Sequence, residues 1–363
     1  MKAAVCREFG KPLTIEDVVL APPGTGEVKV RLAACAICHS DISFMRGEWG
    51  GALPAVYGHE AAGVVETVGP GVSGLAPGDH VVVTLVRFCG HCRYCSDGTQ
   101  VQCETSFPLD KAGPIRTKDG APLFQAMRTG AFAEFVTVHA SQAVAIAKDI
   151  PLDVASLLAC GVITGFGAVV NTADLRLGST AVVIGAGGVG LNSIQAIALR
   201  EAERNIVIDL SDAKLEAARR FGATDTINPT REDAQARVKE LTNGRGVDYV
   251  FVTVGAKAAF DQAPAMLARG GALVLVGMPP NGVMSAYDPG TFAALNQRIL
   301  GTKMGSTRTQ VDIPHLVELY RKGRLKLDEL ITGRYALAQV NEAVESVERG
   351  EALRNVIVFN GQA

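Results

Sequence analysis

The chain has 363 residues, 48% of them hydrophobic, 6% aromatic and 40 of them glycine. It is too long for one ordinary core and long enough for two domains, and the mixture fits an α/β enzyme with many tight turns. Lys+Arg 35 against Asp+Glu 37 gives a net charge of −2, with no basic stripe or long like-charge run, which argues against nucleic acid and anionic membranes as partners.

The opening stretch, MKAAVCREFGKPLTIEDVVL, holds no apolar segment of signal-peptide length and no small-residue cleavage site. No run approaches the roughly 18 apolar residues needed to span a bilayer. A soluble, cytoplasmic protein is expected. In a reducing compartment the eight cysteines point to metal rather than to disulfides. Residues 1 to 161 read as short β-runs (VKVRLAACAI, AAGVVETVG, HVVVTLV, AEFVTVH) broken by PPGTG, GPGVSG and APGD. That texture predicts an irregular, partly antiparallel β domain. From 162 to 303 strands alternate with amphipathic stretches such as SDAKLEAARRFG, as a doubly wound parallel sheet requires. The expected strands are 180–185, 205–210, 224–228, 247–255, 272–277 and 298–303, a rhythm that matches two mononucleotide-binding halves. The tail, 304–363, holds helical segments and ends in NVIVFN, which is expected to fold back onto the first domain.

The first chemical motif is Gly185-Ala186-Gly187-Gly188-Val189-Gly190. Alone it says little in so glycine-rich a chain. Here it follows the strand TAVVI, opens the helix VGLNSIQAIALR and precedes Asp209 by 19 positions. In such a motif the first glycine makes the turn and the second lets backbone approach a pyrophosphate. The third lets helix and strand pack, and the helix N-terminus offers free N–H groups to phosphate. Asp209 would accept hydrogen bonds from the adenosine ribose hydroxyls and would repel a 2′-phosphate, so NAD is favoured over NADP.

The second motif is Cys89-x2-Cys92-x2-Cys95-x7-Cys103. Four thiolates at that spacing suit a closed, tetrahedral, structural Zn²⁺. A third set comes from distant pieces: Cys38 in AICHSD, His59 and Glu60 in YGHEAAG, and Cys160 in LLACGVITG. Two thiolates and an imidazole leave a fourth position open, the pattern of a catalytic zinc. Separately, Cys160 reads as core packing and His59 as a buried histidine. Their co-occurrence with the other two motifs lifts them.

At this point the chain resembles the zinc-containing medium-chain alcohol dehydrogenases. The markers are C-H-S-D (38–41), G-H-E (58–60), the four-cysteine loop, A-C-G-V-I-T-G (159–165), G-A-G-G-V-G (185–190), V-G-M-P-P (276–280) and R-G-E-A-L-R (349–354). The resemblance runs over essentially the whole chain. It implies a GroES-like, β-rich catalytic domain carrying two zinc sites (1–161 with 304–363) and a Rossmann NAD-binding domain (162–303). It implies Cys38, His59 and Cys160 as ligands of the catalytic zinc, Glu60 behind the metal as an alternate ligand, and Ser40 as the hydroxyl that meets the alcohol. Thr164 would lie near the nicotinamide, Lys214 near the adenosine ribose, and His39 and Arg354 near the pyrophosphate, with Val254, Gly277 and Met278 also among the cofactor-binding residues. Trp49, Leu85, Phe107 and Met278 would line a pocket for a medium-sized apolar alcohol.

Departures from the family pattern narrow the expectation. Cys160 in place of Glu argues against polyol dehydrogenases, and the cysteine loop against zinc-free quinone reductases. The glutathione-dependent formaldehyde dehydrogenases carry arginine where this chain has Phe107, which weakens that alternative without removing it. Ser43 stands where many relatives place a histidine that ends a proton relay; a hydroxyl can pass a proton but is no base near neutral pH. A non-enzymatic NAD-binding protein on the same scaffold is the rival from another class, disfavoured because every ligand and Ser40 are retained. The 56 residues between Cys103 and Cys160 lean towards a homodimer rather than a tetramer. Cys6 and Cys35 receive no role.

Overall fold

The computed structural model describes residues 1–359. Two compact units divide the chain, Met1–Gly161 with Arg308–Ala363, and Val162–Thr307. The switch at 161/162 coincides with the change of texture in the sequence.

The first unit holds two β assemblies. Five strands close a small barrel in the order Lys2–Cys6, Thr14–Leu20, Ile115–Thr117, Pro122–Gln125, Ala55–Val56, sealed by Val5 opposite Val56. A seven-stranded sheet runs Ala143–Ile146, His80–Val83, Glu60–Val68, Glu27–Ala36, Arg354–Val358, Ile331–Ala336, with Phe135–His139 also paired to Glu27–Ala36. Strand Glu27–Ala36 alternates buried and half-buried residues at first and is buried throughout its second half. It is paired on both sides throughout, with Phe135–His139 beside its first half and Arg354–Val358 beside its second. Val28, Val30, Leu32, Cys35 and Ile37 pack there with Ile357, Val340 and Val344. The tail does return to this unit: Arg354–Val358 pairs antiparallel with 34–36 and parallel with Ile331–Ala336.

The second unit is a six-stranded parallel sheet. Its strands are β1 (Thr180–Ile184), β2 (Arg204–Ile208), β3 (Asp225–Ile227), β4 (Val247–Val252), β5 (Leu267–Leu275) and β6 (Arg298–Gly301). Their spatial order is β3-β2-β1-β4-β5-β6, which is two mononucleotide-binding halves meeting at β1/β4. β1 is buried at every position, as a strand covered on both faces must be. Side chains set the helix starts: Ser211 accepts from the Lys214 amide, and Asp233 from the Gln235 and Ala236 amides.

One expected boundary moves. Met304 to Thr307, read with the tail, belong to the second unit. Met304, Gly305 and Ser306 have φ of 51°, 65° and 49°, three left-handed residues in succession. At the two non-glycine positions this costs about 1–2 kcal/mol each. Gly305 lets the turn seat on a helix, since a Cβ there would meet the Ile163 carbonyl at 2.2 Å. Only Gly305 hints at the turn in the sequence, so periodicity could not find it.

Candidate active site

Cys38 caps the helix His39–Met45, and Asp41 sits in its first turn with no exposed surface. One Asp41 oxygen, Oδ2, accepts from the Cys38 amide at 3.0 Å. The other, Oδ1, accepts from the Gly58 amide at 2.9 Å and lies 3.1 Å from His59 Nδ1. A carboxylate there fixes the Nδ1–H tautomer and leaves Nε2 as a lone pair. His59 Nε2 is buried and has no hydrogen-bond partner, and neither has Glu60 Oε1. The Cys38, Cys160, His59 and Glu60 ligand atoms all lie within 4.8 Å of one another, and all four residues are buried. Orphaned buried acceptors are costly. A cation bound by two sulfurs and a nitrogen removes that cost, so the donor set fits Zn²⁺.

Behind it, Glu60 Oε2 pairs with the Arg354 guanidinium, both side chains buried. Burial pushes the Glu60 carboxyl up to about 7, against the pull of Arg354. Arg354, which the sequence relates to a pyrophosphate, also lies against Gly161, where a Cβ would meet Nη1 at 3.2 Å.

The four-cysteine loop brings Cys89, Cys92, Cys95 and Cys103 together, their sulfurs within 4.8 Å of one another. Cys89–Cys95 and Cys92–Cys103 are each 3.9 Å apart, too far for disulfides. Burial raises the thiol of Cys89, yet hydrogen bonds from Thr105 and from the His91 and Cys92 amides pull it down to about 5. Burial pushes Cys95 up to about 12. Four sulfurs so close can all be thiolates only around a cation.

In the second unit Gly185 (φ 102°) follows β1, and Gly187 caps the helix Gly188–Leu199. A Cβ on Gly185 would meet Val254 Cγ1 at 2.4 Å, and one on Gly190 the Gly185 carbonyl at 1.9 Å. One on Gly187 would meet nothing within 4 Å. The fold itself therefore needs the first and last glycines, whereas the space in front of the middle one is open. Val189 follows in the helix's first turn. Asp209, one residue past β2, accepts from the Ala186 amide (2.8 Å) and the Ser211 amide (2.9 Å), so it braces the same loop. Gly277 and Val254 meet backbone to backbone past β5 and β4, where a Cβ on Gly277 would meet the Val254 carbonyl at 2.4 Å.

Known proteins match along the whole chain. The description "Alcohol dehydrogenase GroES-like domain" fits residues 24–148, and "Zinc-binding dehydrogenase" fits 188–322. An NDMA-dependent alcohol dehydrogenase of Amycolatopsis methanolica is 36% identical, over 99% of each chain. Among solved structures, an alcohol dehydrogenase zinc-binding domain protein from Burkholderia ambifaria has a TM-score of 0.95 at 34% identity, covering 99% of each chain. The benzyl alcohol dehydrogenase of Acinetobacter calcoaceticus has a TM-score of 0.92 at 30% identity, with the same coverage.

The chain belongs to the zinc-dependent medium-chain alcohol dehydrogenase family.

Its first unit is the GroES-like, β-rich domain of that family and its second the Rossmann-type domain. Ser40, two residues after Cys38, is half-buried, His39 is exposed, and Ser43 is buried. Trp49 packs edge-on against Phe44 with ring centroids 5.1 Å apart. Leu85 is half-buried, and Met278 is 64% exposed. Phe107 is buried between the His139 ring (4.7 Å) and the Arg87 guanidinium (5.7 Å). Thr164 donates to Met304 Sδ at 3.8 Å, and the Lys214 amide stands in the first turn of its helix.

Three functional partners escaped the sequence reading. Asp41 was in view as the last residue of C-H-S-D, and its position three after a helix-capping cysteine was the available signal. The Arg354–Glu60 pair spans nearly the whole chain and leaves no local trace. Arg87 is fully buried, donating to Gln142 Oε1 (2.7 Å), Asp110 Oδ1 (3.0 Å) and the Arg128 carbonyl (3.0 Å). It ties the start of the cysteine loop to the segment after it.

Proposed function

We propose that this protein is a zinc-dependent, NAD-linked alcohol dehydrogenase that interconverts medium-sized apolar alcohols, aliphatic or aromatic, with their aldehydes or ketones. The observation that carries the reading is the buried Cys38–His59–Cys160 set with its unpartnered His59 Nε2. Cys38, His59 and Cys160 would hold the catalytic zinc, with Glu60 as an alternate ligand. Cys89, Cys92, Cys95 and Cys103 would hold a structural zinc. Gly185 to Gly190, Asp209 and Lys214 would take the adenosine and phosphate half of NAD. His39 and Arg354 would serve the pyrophosphate, and Thr164, Val254, Gly277 and Met278 the nicotinamide half. Trp49, Leu85, Phe107 and Met278 would face the alcohol.

When bound, zinc supplies a Lewis acid for the alcohol oxygen and NAD the hydride acceptor. The chain's own part is geometric and protonic. Asp41 keeps His59 in the tautomer that offers Nε2. Ser40 holds the alcohol hydroxyl and accepts its proton as it passes its own onward. The relay beyond Ser40 lacks a basic group at Ser43, so the proton leaves by hydroxyl or water. We further propose a cytoplasmic homodimer.

The test is reduction of NAD and NADP by the zinc-replete protein across aliphatic, benzylic, secondary and polyol alcohols and the glutathione–formaldehyde adduct. Turnover of apolar primary alcohols with NAD is expected. A preference for NADP would overturn the Asp209 argument, and a preference for the glutathione adduct the argument from Phe107. Cys38→Ser is expected to abolish turnover while NAD binding persists; surviving activity would sink the catalytic-zinc assignment.

A further inference from the structure

The left-handed turn Met304–Ser306 stands at a telling place. In an open parallel sheet, ligands bind outside the carboxyl ends of the strands, near the point where strand order reverses. The first half of this sheet, β1 to β3, presents the glycine loop and Asp209 there. The second half presents the segments that leave β4, β5 and β6. After β4 and β5 come Val254 and Gly277, in backbone contact with each other. After β6, which pairs with β5 through Gly301 opposite Leu275, comes Thr302 and then the turn.

That turn is held from several sides. Thr302 Oγ1 lies 2.7 Å from Thr172 Oγ1. Thr172 Oγ1 also lies 2.9 Å from Ser306 Oγ. Thr302 and Ser306 complete the triangle at 3.5 Å. The side-chain amide of Asn171 donates to the Gly305 carbonyl at 3.2 Å. Thr164 donates to the sulfur of Met304. Glycines on both sides allow this approach, since a Cβ on Gly167 would meet the Gly305 carbonyl at 2.3 Å. Thr172 itself closes the π-helical turn Ala168–Thr172, an irregular ending to the helix that begins at Gly161. Irregular helix turns and strained backbone gather at functional sites, where surrounding contacts over-determine them. Three left-handed residues, a π-turn and a closed ring of hydroxyls converge here.

We infer that Thr172, Thr302 and Ser306 are positioning residues for the nicotinamide half of the dinucleotide: their hydroxyl ring holds the Met304–Ser306 turn at the carboxyl end of β6. This inference rests on the proposed reading of the second unit as an NAD site. It adds residues that touch no part of the reacting atoms. They act through the backbone of the turn, which the free hydroxyls of a looser loop would not fix.

The dinucleotide can be divided to test this. ADP-ribose carries everything in NAD except the nicotinamide ring. Dissociation constants of NADH and of ADP-ribose are measured for the zinc-replete wild type, Thr172→Val, Thr172→Ser and Ser306→Ala. Valine keeps the shape and removes the hydroxyl, whereas serine keeps the hydroxyl. Thr172→Val is expected to weaken NADH about tenfold, roughly one hydrogen bond's worth, while ADP-ribose stays within about twofold. Thr172→Ser is expected to restore NADH binding, and Ser306→Ala to repeat the selective loss if the valine variant folds poorly. Unchanged NADH binding in both hydroxyl-deleting variants would overturn the inference, and so would an equal loss for both ligands. A wild type that bound neither ligand would instead remove the dinucleotide reading, and this inference with it.

Discussion

Asp41 orders the proposed metal site from behind its candidate ligands. Its two oxygens accept from the amides of Cys38 and Gly58 and from His59 Nδ1, so they fix the backbone at Cys38 and Gly58 and the His59 ring. Asparagine would replace one acceptor with a donor facing an amide. Asp41→Asn is expected to weaken zinc at the Cys38–His59–Cys160 site by about 10–100-fold while the four-cysteine site is unaffected. Zinc content during chelator titration checks this, and loss of both metals in parallel would refute it. Arg354 and Glu60 carry a second prediction. Arg354→Ala leaves a buried carboxyl unpaired and is expected to cost about 3–5 kcal/mol, read as a lowered denaturant midpoint. The double variant with Glu60→Gln should recover much of that loss; if it did not, the pair would not be the cause. The residues proposed as ligands stood out in the sequence because metal chemistry permits few residue types at few spacings. Their supports were not. Asp41, Arg354 and Arg87 have burial and partners that depend on tertiary placement, and an isolated Asp or Arg in a sequence looks solvent-facing.

Elements differed in legibility for a physical reason. All six strands of the parallel sheet were readable: β1 and β4 as apolar runs buried along almost their whole length, the short and less buried edge strands β3 and β6 from the alternation of strands with helical stretches. The barrel strands were not. Ala55–Val56 and Ile115–Thr117 are too short to show a period, and Thr14–Leu20 is mostly exposed. The four-cysteine loop is an extreme case, legible as chemistry and invisible as structure. It holds one short helix, Arg93–Ser96, and one 3₁₀ turn, Gln100–Gln102, with Cys95 and Val101 as their buried residues. Such a segment has almost no apolar core to order it, a task that falls to the proposed structural zinc. Arg93, 87% exposed in its side chain, is a ready trypsin site. Stripping zinc, or Cys95→Ala, is expected to speed cleavage after Arg93 by roughly tenfold or more in a time course, because the loop then opens freely. Equal rates with and without metal would mean that the loop folds unaided.

At the scale of the whole molecule the edge of the parallel sheet bears on assembly. β6 pairs with β5 on one side, and β6 is the last strand in the order. Arg298, Ile299 and Gly301 on it are exposed, with Ile299 at 41%. The preceding segment exposes Val283 and Met284, the latter at 78%. Unpaired strand edges flanked by apolar side chains pair with another chain unless something blunts them. Arg298 is a partial guard, yet it leaves the neighbouring apolar groups open. An antiparallel union of two β6 strands would satisfy both edges by a twofold axis and would cover Ile299 on each copy. The proposed homodimer therefore has a surface suited to it. Ile299→Lys places a charge on that edge in each subunit, and association desolvates both. Sedimentation velocity is expected to show a dimer for the wild type and mainly monomer for Ile299→Lys, with zinc content and circular dichroism unchanged. A variant that remained dimeric would move the interface away from β6, and a monomeric wild type would remove the homodimer altogether.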